Sequence, residues 1–155
     1  KGADYDFVRY RFEGQTANKR VIAIRPTAEL GTFFSGHRRQ LALEVGIRPR
    51  PGVTITVANE WNDVRLAEGR FTTRLHRFVA DTQFTPFMYL VNNVQYDSVS
   101  GVLGWQSRFR WIVTPGNDVF VVYTHNWIDD GLDPNTRFRT FDRRAAAKAV
   151  YTKRF

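Results

Sequence analysis

The amino-acid sequence predicts an all-β fold, an antiparallel up-and-down meander of about nine long strands in a single domain spanning residues 1–155. Three observations predict it. Aromatic residues make up 15% of the chain and Thr is frequent while Leu is sparse, a composition that suits strands rather than helices. Turn signals built on Pro and Gly recur at hairpin spacing, at Pro49, Pro51 and Gly52, at Pro86, and at Pro115 and Gly116. Between them the residues alternate in polarity with a period of two.

The strands are expected at about 4–14, 20–34, 37–48, 53–65, 70–84, 87–97, 101–114, 118–128 and 140–155. In the first, Val8, Tyr10 and Phe12 oppose Arg9, Arg11 and Glu13. In the second, Ile22, Ile24, Ala28 and Leu30 oppose Arg25, Thr27 and Glu29, and Pro26 calls for an edge, a bulge or a shorter strand because it cannot donate to a ladder. The third sets Leu41, Leu43, Val45 and Ile47 against Gln40, Ala42, Glu44 and Arg48. The fourth sets Val53, Ile55, Val57 and Trp61 against Thr54, Thr56, Ala58 and Glu60. In the fifth, Phe71, Thr73 and Leu75 share one parity and Phe78 and Ala80 the other, which a bulge near His76 would reconcile. The seventh sets Leu103, Trp105, Phe109, Trp111 and Val113 against Gln106, Arg108 and Arg110. In the eighth, Val119, Val121 and Tyr123 compete with Phe120 and Val122, so its orientation stays open. The last carries an Ala-rich run, 143–150, that would also suit a short helix.

Alternation alone leaves two solvents open. In a soluble meander the apolar face packs a core, for which 155 residues suffice. In a membrane barrel it meets lipid and the charged face lines the interior. Two features favour the barrel. Trp61, Tyr96, Trp105, Trp111, Tyr123 and Trp127 fall mostly near strand ends, as interfacial aromatics do. The charged face carries large Arg residues beside Glu on neighbouring strands, suited to cross-strand pairs. The expected interior residues are Arg9, Arg11, Arg25, Glu29, Glu44, Arg48, Glu60, Arg108, Arg110, Arg144 and Lys148, biasing a lumen toward anions unless the carboxylates neutralise it in ladders. No apolar run is long enough for a transmembrane helix, which leaves a strand barrel untouched. The final strand ends on Phe155, with Tyr151 on the same parity, as in the closing strand and assembly signal of a bacterial outer-membrane barrel.

Together the segments resemble the C-terminal part of a bacterial family with an N-terminal carbohydrate-binding module, similar to family nine, ahead of an outer-membrane β-barrel. The resemblance rests on Phe33 to Arg39 leading into Leu41 to Pro49, on Asn59 to Leu66, on Phe71 to Leu75, and on Phe84 to Pro86. It continues through Val94 to Asp97, Arg108 to Trp111, and, most specifically, Thr114 to Tyr123. It implies an outer-membrane location, lipid as the surrounding partner, a periplasmic C-terminus with the Pro-bearing turns on the same side, and carbohydrate bound only through an upstream module. Other subunits of a membrane assembly are further expected partners, and the chain is expected to be a fragment, since single-chain bacterial barrels close with an even strand number. It departs from the usual terminal signal at Lys153.

Catalytic chemistry is not expected. His37, His76 and His125 lie far apart without metal-ligand spacing, so no metal or other cofactor is implied, and there is no Cys. Glu60 and Asp63 flank Trp61 like a carbohydrate-active pair, but their opposite parity separates them, leaving a β-sandwich hydrolase using Glu60 as a minor alternative. The formal charge of +8 invites nucleic acid, yet the aromatics lie mostly on the parity opposite the arginines, whereas a stacking platform needs both on one surface. The main alternative is a soluble ligand-binding or lectin-like β module.

Overall fold

The computed structural model describes residues 6–17, 19–129 and 138–152. The strands are β1 (Arg9–Glu13), β2 (Ile22–Phe33), β3 (Gly36–Arg50), β4 (Val53–Leu66), β5 (Gly69–Thr85), β6 (Met88–Asp97), β7 (Val102–Thr114), β8 (Asn117–Ile128) and β9 (Arg139–Val150). They form one nine-stranded antiparallel sheet in sequence order, with no helix among the described residues. The sheet is open: β1 and β9 are its two edges. Strands of 10 to 17 residues from β2 onward are well above the usual length of about 5–6 residues in globular proteins. The Ala-rich run 143–150 is strand, held by continuous pairing with β8 from Asp118 to Asn126. The last strand stops at Val150, short of the expected 155, and Phe155 lies outside the described residues.

The Pro-bearing turns β3–β4, β5–β6 and β7–β8 gather at one end of the sheet, and the turns β2–β3, β4–β5 and β6–β7 at the other. The register shifts beside each Pro-bearing turn, between Ile47 and Arg50, Gln83 and Thr85, and Ile112 and Thr114. Gly52 and Gly116, with φ of 78° and 92°, supply the left-handed conformation that two of these turns need. Pro26 stands where its missing N–H costs nothing. Its carbonyl accepts from Gly14 N at 3.1 Å, so its nitrogen also faces β1, just past the point where β1 ends at Glu13.

The bulge expected near His76 does not form: β5 pairs with β4 without interruption from Gly69 to Thr82, and with β6 from Leu75 to Gln83. Phe71, Thr73 and Leu75 instead lie on the same face as Glu60, Asn62 and Val64 of β4. They give that face an apolar patch around Val64, so the change of parity needs no extra residue.

Among the described residues only Val64 and Asp63 are buried, at 3% and 1% exposure. The enclosed core that 155 residues would allow is therefore not present, because a single layer of sheet leaves both faces uncovered. The two faces are not equally uncovered. Over much of β2 and β3 exposure alternates with residue number, and the exposed residues include the apolar Ile22, Ile24, Leu30, Leu41, Leu43 and Ile47 together with His37 and Arg39 on the same face, while Arg48 is exposed on the other. Arg25, Thr27, Glu29, Arg38, Gln40 and Glu44 on the other face are partly shielded, as are the smaller Ala28 and Val45 on the apolar face.

Candidate functional site

The register carries each face across the whole sheet. Arg9, Arg11, Arg25, Glu29, Glu44, Arg48, Glu60, Arg108, Arg110, Arg144 and Lys148 all fall on one face, by pairing or by alternation along the strand. In β1–β5 this face is a ladder of paired charges. Arg9 meets Glu29 at 3.7 Å, Arg11 meets Glu13 at 3.2 Å, and Glu44 is shared by Arg25 and Arg77 at 3.5 Å each. Arg38 donates to Asn62 and Gln40, and Gln40 donates to Glu60 at 2.8 Å, so Glu60 is a rung of a polar chain. Beyond β6 the arrangement changes. Arg110 donates to Asp118 at 3.0 Å and to the Tyr89 hydroxyl at 2.6 Å, and its guanidinium lies over the rings of Tyr89 and Phe120. Arg144 pairs with Asp142. Arg48, Arg108 and Lys148 are exposed and have no ion-pair partner among the described residues. The shielded side-chain atoms without a hydrogen-bond partner, Arg25 Nε, Asn93 Oδ1, Arg110 Nε and Asp118 Oδ1, all lie on this same face.

Trp61, Tyr96, Trp105, Trp111, Tyr123 and Trp127 all lie on the opposite, apolar face. Tyr96 and Trp127 are at strand ends and Trp111 is near the Pro-turn end, whereas Tyr123 is midway along β8. Tyr123 is drawn into a strip of rings instead: Trp105 to Tyr123 at 5.3 Å, Tyr123 to His125 at 6.2 Å, and His125 stacked on Trp127 at 3.8 Å. The His125 ring is also within 3.0 Å of the Thr140 hydroxyl, and His76 within 2.6 Å of Asn59 Oδ1. Among the described residues no cluster of His, Asp and Glu has the geometry of a metal site. Tyr151 follows β9 outside any strand and is 77% exposed.

At the end opposite the Pro-bearing turns the apolar face becomes cationic, a feature that alternation alone did not reveal. The buried Asp63 carboxylate accepts from Arg65 Nε at 3.0 Å, from Arg70 Nε at 2.9 Å, and from the Thr72 hydroxyl at 3.3 Å. Arg39 stands directly across from Asp63, and Arg74 across from Trp61. Glu60 and Asp63 do lie on opposite faces, so they form no carboxylate pair. The spacing Asp63, Arg65, Arg70 across a short turn was the available signal, and it became legible only once β4 and β5 were paired.

Two depressions meet on this part of the apolar face. One, of about 770 Å³, lies between Phe12, Pro26, Leu41, Leu43 and Trp61, with Arg74 and His76 at its edge. The second, of about 640 Å³, shares Leu41 and Trp61 with the first and continues past His37, Arg39, Asp63 and Arg65. The first exists because Gly14, Pro26 and Ala28 are small beside Phe12, Leu41 and Leu43.

The neighbouring turns are tied to each other. The Ser35 hydroxyl donates to Glu68 Oε2 at 2.5 Å and accepts from Ala67 N at 3.3 Å. The Ser35 hydrogen bond, with one from the Glu68 backbone, holds the Glu68 carboxyl below the usual carboxylate range. Phe34, beside Ser35, takes a left-handed φ of 49°, unusual for a bulky side chain, and packs edge-on against Phe33 at 4.7 Å.

The chain matches no family model and none of the curated proteins with which it was compared.

Proposed function

We propose that the chain is part of the wall of a bacterial outer-membrane β-barrel, its apolar face against lipid and its polar face toward a hydrated interior. One observation carries this reading: in β2 and β3 the aliphatic Ile22, Ile24, Leu30, Leu41, Leu43 and Ile47 are exposed, while Arg25, Glu29, Arg38 and Glu44 on the other face are partly shielded. A sheet folded for water has the reverse arrangement, because apolar area removed from water contributes roughly 25 cal/mol per Å². Long strands, aromatic side chains gathered on one face, and shielded polar atoms without protein partners on the other all accord with it. The open edges require further strands, since an unpaired strand edge is untenable in lipid.

Within this reading, the paired charges of β1–β5 favour a structural wall over a strongly anion-selective one, and the anion bias rests on Arg48, Arg108 and Lys148 rather than on Arg110, which Asp118 neutralises. The resemblance to the barrel family with an upstream carbohydrate-binding module makes a membrane anchor for such a module the accompanying proposal. A soluble ligand-binding or lectin-like β module is the competing reading, and it requires a second layer over the apolar face.

The test is cell fractionation followed by unheated and heated gel electrophoresis. The expected result is recovery in the outer membrane, a need for detergent, and a mobility shift on heating. A monodisperse, detergent-free soluble protein overturns the proposal.

A further inference from the structure

Resting on that membrane reading, we infer that the paired depressions on the apolar face of β1–β5 form a binding site for a phosphorylated lipid. The acyl chain lies between Phe12, Pro26, Leu41, Leu43 and Trp61. The phosphate lies on the cationic surface that begins at Arg74 and runs through Arg39 to Arg65 and Arg70. The two depressions share Leu41 and Trp61, so one amphiphile can occupy both without leaving the surface.

Charge complementarity identifies the headgroup. Arg39, Arg65, Arg70 and Arg74 share this face with a single carboxylate, Asp63. Asp63 engages Arg65 and Arg70 only through their Nε atoms, at 3.0 and 2.9 Å. Their terminal amino groups have no partner among the described residues, and the two side chains remain 53% and 59% exposed. Arg39 and Arg74 have no ion-pair partner among the described residues. A buried acid holding two guanidiniums by the inner nitrogen presents their outer nitrogens to an incoming anion, and planar guanidinium donors match phosphate oxygens two at a time. A neutral or zwitterionic lipid leaves that surplus of positive charge unmatched, and a free phosphate leaves the apolar half of the groove unfilled.

Quenching of Trp61 fluorescence by lipids brominated in the acyl chain tests the site. The protein in neutral dodecyl maltoside micelles is titrated with brominated phosphatidic acid or with brominated phosphatidylcholine of the same tails, and the Trp61 signal is isolated by difference from Trp61→Phe. The expected result is quenching by phosphatidic acid at a mole fraction about tenfold lower than by phosphatidylcholine, a factor typical of a lost charge-assisted contact. The double variant Arg39→Gln/Arg74→Gln, which strips no carboxylate of its partner, is expected to abolish that preference while keeping the heat-dependent gel shift of the folded protein. Equal quenching by the two lipids in the unaltered protein, or an unchanged preference in the double variant, overturns the site. Displacement of phosphatidic acid by inorganic phosphate at millimolar concentration overturns the lipid assignment in favour of a free-anion site. Failure of the membrane reading looks different: the protein stays soluble without detergent and neither lipid quenches.

Discussion

Strands β2–β3 and β7–β8 use the same alternation to different ends. In β2–β3 the two faces differ in polarity along most of their length, aliphatic against charged, with Arg39 and His37 the exceptions at one end. In β7–β8 both faces carry large apolar side chains: Trp105, Phe109, Trp111, Val121 and Tyr123 on one, Ile112, Phe120 and Val122 on the other. On the second face Arg110 is held by Asp118 and lies over the rings of Tyr89 and Phe120, while Arg108 beside it stays exposed. One half of the sheet thus carries a ladder of ion pairs on this face, and the other carries rings around the Arg110 guanidinium. The same face can be made compatible with water in either way.

If the apolar face meets lipid as proposed, the largest effect is expected from placing Arg on that face in each half. Leu43→Arg and Val121→Arg should each destabilise insertion by about 2–4 kcal/mol, and their neighbours Ala42→Arg and Val122→Arg by no more than about 1 kcal/mol, as measured by urea titration of folding into phospholipid vesicles. The comparison between Val121 and Val122 is the sharper, because nothing in their chemistry separates them. Equal costs within each pair would break the assignment of faces.

A smaller effect is expected from Glu44→Gln, which leaves Arg25 and Arg77 without their shared carboxylate. Half-exposed pairs of this kind contribute about 0.5–1 kcal/mol, and the loss should shrink in high salt. A loss that is independent of salt would show that the ladder acts by packing rather than by charge.

The smallest effect concerns the tie between the β2–β3 and β4–β5 turns. Because the Glu68 carboxyl is held below its ordinary range by Ser35, its contribution is present above the unfolded pKa of about 4.3 and is lost as the pH falls through the lower folded value. Ser35→Ala should move the Glu68 titration, followed by carbon NMR of the carboxyl, upward toward the ordinary value. An unmoved titration would assign the shift to the backbone alone.

Most of the architecture was legible in the sequence because turns and alternation are local. Nine strands and their approximate limits followed from Pro, Gly and polarity, and of the edge, bulge or shorter strand that Pro26 called for, the structure shows a local edge, where β1 stops. The faces of β5 and β8 were not legible, since Phe71, Leu75, Phe120 and Val122 look like residues of the apolar face and only cross-strand partners show otherwise. The cationic surface around Asp63 was hidden for a related reason. It depends on a buried carboxylate whose partners come from both sides of a turn, and composition reads such residues as an ordinary polar strand end.

The irregularities beside the Pro-bearing turns set the phase of the whole pattern. At β3–β4, Arg50 pairs with Val53; continued without a shift, that count would set Ile47 against Thr56, whereas Ile47 meets Ile55. At β7–β8, Thr114 pairs with Asn117, and the unshifted count would set Trp111 against Phe120, whereas Trp111 meets Val119. One extra residue at each of these corners therefore decides which side chains of the next strand join the apolar face. Deleting a single residue there would leave every side chain chemically unchanged and invert the strand that follows.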